Sequence, residues 1–435
     1  MPLTPYLVSF PLPDKPTQNL LFATKTGALV LLPEETFAAL QRGEVAAGDH
    51  DALVEMGFWV KDQEEEQQQL LQYLDEVNRL NPGLTVAVIL GMECNFACRY
   101  CYEGAQKGQQ AMTGDTANQL VAYLKERFKP GMKKLHFDFY GGETLLYKKR
   151  IIDLARQLKP FVEERGGVFS FNLVTNGSLL TPQVVEDLNP LGLDGVKVTV
   201  DGPPDLHNYF RPFKSGEGSF DVIVKNLAAI SSMTNIRLGG NYTSDNYRHF
   251  ITVLDLLAER GVKPESIELV NFNPVMKVND KIAMNEYSGG CAGLHEPWLI
   301  EAEPFIREEI FRRGYPLAEP GPSPCAVEVD DAFTVHYDGS LYKCAVLIGH
   351  EQYKIGDVEN GVNSEKGLQN HSIGHWQREE KCRQCRYLPL CFGGCRYMAY
   401  QRDGHMGNVD CKKEFLDATM ETTLLQELKY RYGQG

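Results

Sequence analysis

The sequence predicts an α/β fold: a partial (β/α)6 barrel between a small N-terminal α+β module and a cysteine-rich C-terminal segment. Three observations predict it. The chain has 435 residues, too many for one ordinary core and enough for roughly two to three units. Between 84 and 273, strand-length apolar runs alternate with amphipathic runs of helix length, which gives parallel strands with right-handed crossovers. Seven of the 11 cysteines fall between 325 and 411, among glycines and turn residues. A segment with so few large apolar residues leans on metal to hold its shape.

Composition narrows the class. Hydrophobic content is 43% and charged content 23%, ordinary for a globular chain. No run of 18 apolar residues exists, so no membrane span is expected. The start, Met1-Pro2-Leu3-Thr4-Pro5, lacks a basic patch followed by an apolar stretch, so no secretory signal is expected and the chain reads as cytoplasmic. The net charge of −14, from 44 basic and 58 acidic residues, argues against a broad nucleic-acid surface. Clustered cysteines in a reducing compartment read first as metal or iron–sulfur ligands, since disulfides are rare there.

The elements follow in order. Residues 1–60 form the N-terminal module. Apolar runs at 20–24 and 27–32 flank Lys25-Thr26-Gly27 as a hairpin, Pro33-Glu34-Glu35-Thr36 opens a short helix, and 53–60 is a further short apolar element. Residues 61–83 form a linker whose Leu70, Leu71, Leu74, Val77 and Leu80 are spaced as an amphipathic helix. Barrel strands are expected at 85–90, 134–140, 168–175, 195–200, 236–242 and 266–270. Helices are expected between them at 113–128, 148–164, 181–188, 220–231 and 247–260. A full eight-unit barrel takes about 250 residues, and the roughly 190 of segment 84–273 fit six units. Residues 274–324 hold a bridging helix at 297–313 and a proline-rich linker. Cysteine-rich 325–411 and a C-terminal helix within 412–435 complete the chain.

Chemistry-bearing residues fall at the C-terminal ends of consecutive strands, the face that carries the active site of such barrels. After the first strand, Cys94, Cys98 and Cys101 place three thiols on one loop. A structural zinc site wants four ligands, whereas three close cysteines suit an iron–sulfur cube with one iron open. After the second come Gly141-Gly142-Glu143, where glycines admit close backbone approach and a carboxylate can accept from an ammonium. The third ends in Thr175-Asn176-Gly177-Ser178. The fourth ends in Thr199-Val200-Asp201-Gly202-Pro203, followed by His207 and Arg211. Each signal is weak alone; four in register are not.

Cys94, Cys98 and Cys101, with Tyr100 just before the last, resemble the signature loop of the radical S-adenosylmethionine (radical SAM) superfamily. Gly141-Gly142-Glu143 resembles its motif for the methionine amino group. Asp201-Gly202-Pro203 with His207 and Arg211 resembles a stretch common in its peptide-modifying branch. The resemblance implies cofactor contacts at Gly141, Gly142, Glu143, Asn176, Thr199, Arg211 and Tyr100, and names no catalytic side chain. It also implies reductive cleavage of S-adenosylmethionine and hydrogen abstraction by a 5′-deoxyadenosyl radical.

The later cysteines run Cys325, Cys344, then Cys382-x2-Cys385-x5-Cys391-x3-Cys395, then Cys411. Paired zinc sites are one reading. The order is also similar to the SPASM domain, which carries two auxiliary clusters, making three 4Fe–4S clusters in all. That resemblance implies an outer cluster on Cys382, Cys385, Cys391 and Cys411 and an inner one on Cys325, Cys344 and Cys395. The fourth inner ligand stays open between Cys291 and a substrate thiolate. In the sulfatase-maturating branch an aspartate general base follows the inner cysteine; here Cys344 is followed by Ala345, Val346, Leu347 and Ile348.

The expected enzyme matures a ribosomally made precursor peptide, through a thioether crosslink from a precursor cysteine first of all. Other crosslinks, epimerisation, oxidation and formylglycine formation are alternatives, as is a non-catalytic iron–sulfur electron carrier. The texture is similar to geopeptide maturases. Residues 1–60 resemble leader-recognition modules, which add a peptide strand to a sheet edge; a structural cap is the alternative. Expected partners are the precursor with its leader and a reductant such as flavodoxin or ferredoxin, with no nucleic acid and no membrane.

Overall fold

The computed structural model describes residues 2–45, 48–101, 103–275 and 296–433. Cys291 lies outside them. Packing divides the chain into two compact units, one of residues 1–80, 319–329 and 371–435, the other of residues 81–318 and 330–370. The N-terminal module and most of the cysteine-rich segment thus share a unit, and 330–370 belongs with the barrel strands.

The first unit holds an antiparallel sheet of β1 (Leu7–Pro11), β2 (Gln18–Ala23) and β3 (Ala28–Pro33), in that order. The expected hairpin is β2–β3, turned at positive-φ Gly27; β1 was not foreseen. Central β2 is buried on both faces, as period-2 alternation requires. Leu21 and Ala23 pack with Phe37 and Leu40 of the helix Glu34–Gln41 and Leu53 of the helix His50–Glu55. Leu20 and Phe22 pack instead with Met420, Leu424 and Leu428 of the final helix Lys413–Arg431, a stripe at four-residue spacing. The linker is two helices, Gln63–Leu71 and Tyr73–Leu80, the first capped by Asp62 accepting from Glu65 N at 2.9 Å. Their Leu70 and Leu74 join Tyr6, Trp376, Leu388 and Phe392 in a third core. The cysteine segment therefore rests on apolar side chains from the start of the chain.

In the second unit, β4 (Gly83–Ile89), β5 (Lys134–Tyr140), β6 (Val168–Thr175), β7 (Leu193–Thr199), β8 (Asn235–Tyr242) and β9 (Ile267–Pro274) lie in that order, all parallel. They are the six expected strands of a partial barrel. The expected helix 247–260 is two pieces, Tyr247–Phe250 and Val253–Glu259; the bridging helix is Leu299–Arg312. Beyond the six strands the sheet continues. β10 (Ala332–Val335) adds to the free edge of β4 in parallel, and β11 (Ser340–Tyr342), β12 (Gly356–Asp357) and β13 (Gly361–Val362) follow antiparallel. These short runs carry too few residues for a period to show in the sequence.

The outer face of the barrel is apolar. Phe137 and Phe139 of β5 and Phe169 and Phe171 of β6 interlock at centroid distances of 5.4–6.2 Å, mostly edge to face. Alternation sends His136, Asp138, Ser170, Asn172, Lys197 and Arg237 to the opposite, luminal face. That lumen is polar. His136 Nδ1 pairs with Ser170 Oγ at 2.7 Å, and Asn172 donates to Asp138 at 3.1 Å. No helix among the described residues is long and apolar enough to cross a membrane.

Phe139→Ala is expected to destabilise the barrel by about 3–5 kcal/mol, the usual result of truncating a buried aromatic. Val168→Ala, at a position 62% exposed, should change stability by no more than about 0.5 kcal/mol. Urea unfolding of the two variants checks the pair.

Candidate active site

The loop after β4 carries Cys94, Cys98 and Cys101, and contacts with the rest of the barrel hold its backbone. Its backbone is zipped to the segment after the helix Pro204–Phe210: Ala97 N donates to Pro212 O, Arg99 N to Phe210 O at 3.0 Å, and Lys214 N to Asn95 O at 2.9 Å. Phe96 and Phe213 bridge as a strand pair, ring centroids 4.9 Å apart. Arg99 lies over the Tyr209 ring.

A buried polar knot fastens this loop to the strand ends. Tyr100 donates to Asp201, just past β7. Arg211 Nη1 donates to the Tyr100 hydroxyl at 2.8 Å, and Asn241 at the end of β8 donates to the same oxygen at 3.1 Å. Asn241 N also donates to Asp201 Oδ1 at 2.8 Å. Burial holds the Tyr100 phenol well above its ordinary pKa, so it stays a donor. Burial would lower Arg211, but Tyr100, Cys98 and Asp201 hold it well above its ordinary value. Behind the knot sits His207. Burial, reinforced by Arg211, holds it well below its usual pKa and therefore neutral. Its Nδ1 accepts from Asp201 N at 3.1 Å, so Nε2 carries the proton toward Ser219, whose hydroxyl donates to Arg211 O at 2.6 Å.

The glycine pair after β5 approaches the loop closely. A Cβ at Gly142, where φ is +52°, would stand 2.2 Å from Glu93 O. Gly142 N donates to Glu103 at 2.9 Å, and Glu143 N to Glu93 O at 2.8 Å. Glu143 is fully buried, and its carboxylate is occupied within the chain. It accepts from Thr175 Oγ1 at 2.7 Å, Leu145 N at 3.0 Å and Asn176 N at 2.8 Å. Burial raises its pKa and those three donors pull it back. The side chain therefore braces the end of β5 against β6. Asn176 in turn donates to Asn95 at 2.8 Å, and its Oδ1 accepts from Ser178, so it too holds the cysteine loop. Thr199 is half-buried as the last residue of β7.

Sequence reasoning missed Asn241, Glu103 and Lys107. Asn241 had a usable signal, a polar residue at the end of a fifth consecutive strand. Lys107 had none. Its ammonium is raised against burial by the charges of Cys101, Cys94 and Cys98 together, and it donates to Phe96 O at 3.3 Å.

The later cysteines fall into groups. Burial first, then the charges of Cys391, Cys411 and Cys385, push the Cys382 thiol up to about 12, so those four thiols lie together in the first unit. Burial and Cys325 likewise raise Cys395. The x3 gap between Cys391 and Cys395 is a run of left-handed backbone at Phe392, Gly393 and Gly394; a Cβ at Gly394 would stand 2.0 Å from Asp410 O. Arg396, next to Cys395, is buried on Glu328. Cys344 belongs to the barrel unit, two residues past β11. There Ile348 O accepts from Gln106 at 2.8 Å, just beyond the Cys101 loop.

Comparison with known proteins agrees with this layout. The family model described as the Radical SAM superfamily matches residues 88–257. A cysteine-type anaerobic sulfatase-maturating enzyme of Clostridium novyi is 24% identical over 384 residues, covering 78% of this chain and 96% of its own. The radical SAM cyclopropyl synthase TigE of Paramaledivibacter caminithermalis is 24% identical over 362 residues, 77% of this chain and 73% of its own. Among solved structures, native anSMEcpe with bound AdoMet and Cp18Cys peptide superposes with a TM-score of 0.64 at 17% identity, over 81% of this chain and 99% of that one. Streptococcus suis SuiB bound to precursor peptide SuiA gives 0.53 at 14% identity, over 94% and 98%. At such identities the structures speak for the fold alone.

A domain of this family implies S-adenosylmethionine and a 4Fe–4S cluster, and the residues present fit both. Among the described residues no three His, Cys, Asp or Glu side chains converge tightly enough for a single metal ion, which needs every thiolate within about 2.3 Å. A cube takes its thiolates on separate irons and suits the wider set on the β4 loop. The side-chain-free Gly141-Gly142 backbone lets the turn after β5 pack directly against Ile89 and the Glu93 carbonyl of that loop. Residues 88–257 of this chain form a radical SAM domain.

Proposed function

We propose that this chain matures a ribosomally made precursor peptide, forming a thioether from a precursor cysteine. The observation that carries the reading is the pairing of two thiol sets in one protein: three on the β4 loop at the barrel's functional face, and the group Cys382, Cys385, Cys391 and Cys411 in the first unit. The first would hold the cluster that meets S-adenosylmethionine; the second would hold an auxiliary cluster, as would Cys325 and Cys395. When bound, cluster and S-adenosylmethionine supply one electron and a carbon radical able to take hydrogen from an unactivated carbon. The chain's own part is to orient and enclose. The Tyr100–Asp201–Arg211 knot fixes the loop, Glu143 locks the strand ends beside it, and Thr199 and Asn176 complete the same wall.

Peptide substrates are supported by relatives named as sulfatase-maturating enzymes and by SuiB, solved with its precursor. Formylglycine formation is disfavoured by the turn Ala345–Leu347 after Cys344, which holds no carboxylate. A pure electron carrier has no use for the glycine cradle beside the cysteine loop. The reductant would be a flavodoxin or ferredoxin of a cytoplasmic cell interior.

Leader recognition would fall to β3, which pairs with β2 alone among the described strands and so offers one edge. Removing the whole module would also strip Val8, Leu20 and Phe22 from the final helix, so the edge itself is the better target.

Cys98→Ala is expected to abolish 5′-deoxyadenosine formation under anaerobic reducing conditions and to lower iron by one cluster. Cys382→Ser should lower iron while leaving 5′-deoxyadenosine formation intact and abolishing modified peptide. A wild-type enzyme that releases no 5′-deoxyadenosine would favour the carrier. Consecutive residues of β3 point their N–H groups alternately at β2 and at the open edge. Of Leu31→Pro and Leu32→Pro, the one that spares the ladder should therefore weaken precursor binding between about two- and tenfold. Fluorescence anisotropy of labelled precursor reads the change, and unaltered affinity in both variants removes β3 as the docking edge.

A further inference from the structure

β7 carries Lys197 two residues before Thr199, so both side chains leave the same luminal face, about 7 Å apart along the strand. The register sets Lys197 beside Val174 of β6 and Arg237 of β8. The neighbouring charges are already satisfied. Arg237 forks onto Glu268 at 2.8 and 3.0 Å. Asp138 accepts from Asn172 at 3.1 Å and lies 3.5 Å from His136. Among the described residues no hydrogen bond or ion pair reaches the Lys197 ammonium; its pKa is lowered by burial and by Arg237, with Asp138 opposing. A half-buried ammonium whose neighbouring carboxylate is already paired elsewhere favours a ligand that brings a counter-charge. Gly239 on β8 has no side chain, and a Cβ there would stand 3.2 Å from Lys197 Cε and 3.5 Å from Thr199 Oγ1. Barrel interiors are ordinarily filled by branched apolar residues; here a half-buried lysine stands at the centre of a polar lumen, below the strand ends that carry the cofactor motifs.

We propose that Lys197 anchors the substrate by binding a peptide carboxylate inside the barrel, from an acidic side chain or a free C-terminus. The inference rests on the peptide-substrate reading above. The ammonium pairs with the carboxylate and holds that part of the peptide one strand row below Thr199, leaving the adjoining residues at the level of the cofactor face.

The test uses the full chain, anaerobically reconstituted and saturated with S-adenosylmethionine. It is offered three pools of random decapeptides free of Asp and Glu: one with a fixed central Glu and an amidated C-terminus, one with central Gln and amidated, one with central Gln and a free C-terminus. Equilibrium dialysis with mass spectrometry reads retention. Wild type should retain one acidic pool at least about tenfold over the Gln-amide pool, the worth of one charge-assisted contact, and which pool it is tells side chain from terminus. Lys197→Met should erase that preference, Lys197→Arg should keep part of it, and neither should change S-adenosylmethionine affinity. A preference that survives in Lys197→Met overturns the anchor, as does a parallel loss of S-adenosylmethionine affinity, which would give the ammonium to the cofactor. Equal retention of all three pools by wild type removes the anchor and leaves the peptide reading standing. Retention of none removes the peptide reading and the anchor with it.

Discussion

The Tyr100 hydroxyl is the point on which the site depends. It gives its proton to Asp201 and receives from Arg211 and Asn241, so one oxygen joins the cysteine loop, the turn after β7 and the end of β8. Its members are buried or half-buried, where paired polar groups strengthen one another, although Arg211 Nε is left without a partner among the described residues. Neutral His207 supports it from behind, accepting the Asp201 N–H at Nδ1 and donating from Nε2 to Ser219, whose own hydroxyl donates to the Arg211 carbonyl. The knot thus adds side-chain anchors to the loop that carries Cys94, Cys98 and Cys101.

Glu143 does for β5 and β6 what Asp201 does for β7 and β8. Read from its tripeptide alone, it is an acceptor waiting for an ammonium. In the fold its two oxygens already take Thr175, Asn176 and Leu145. The glycines bring the turn after β5 close to the cysteine loop, because Gly142 has no Cβ to strike Glu93 O. The two carboxylates thus make a rigid rim at the ends of these four strands.

Much of this was legible in the residues. Six strands with helices between them are long and periodic, and periodicity is the strongest local signal. The motifs at their ends are contiguous, so they can be read without the fold. What escaped was assembled from distant pieces. β10 pairs with the free edge of β4 across more than 240 positions of chain, through a run of four residues. Leu20 and Phe22 look like one side of a hairpin, but their partners are Met420, Leu424 and Leu428 at the other end of the chain. Asn241 and Lys107 carry no motif; they matter because of what lies across from them. Packing likewise drew the unit boundaries, because apolar stripes at 70–74 and 420–428 had to be covered by something.

The zipper between the cysteine loop and residues 210–214 has one more consequence. Zinc-finger peptides fold only when metal arrives, so losing the ion means losing the structure. Here Ala97, Arg99 and Lys214 fix the loop by backbone hydrogen bonds, and Phe96 and Phe213 close it with an apolar contact. The three cysteines therefore sit on a loop whose course is held at several points by main-chain and aromatic contacts, so its placement does not rest on thiolate ligation alone.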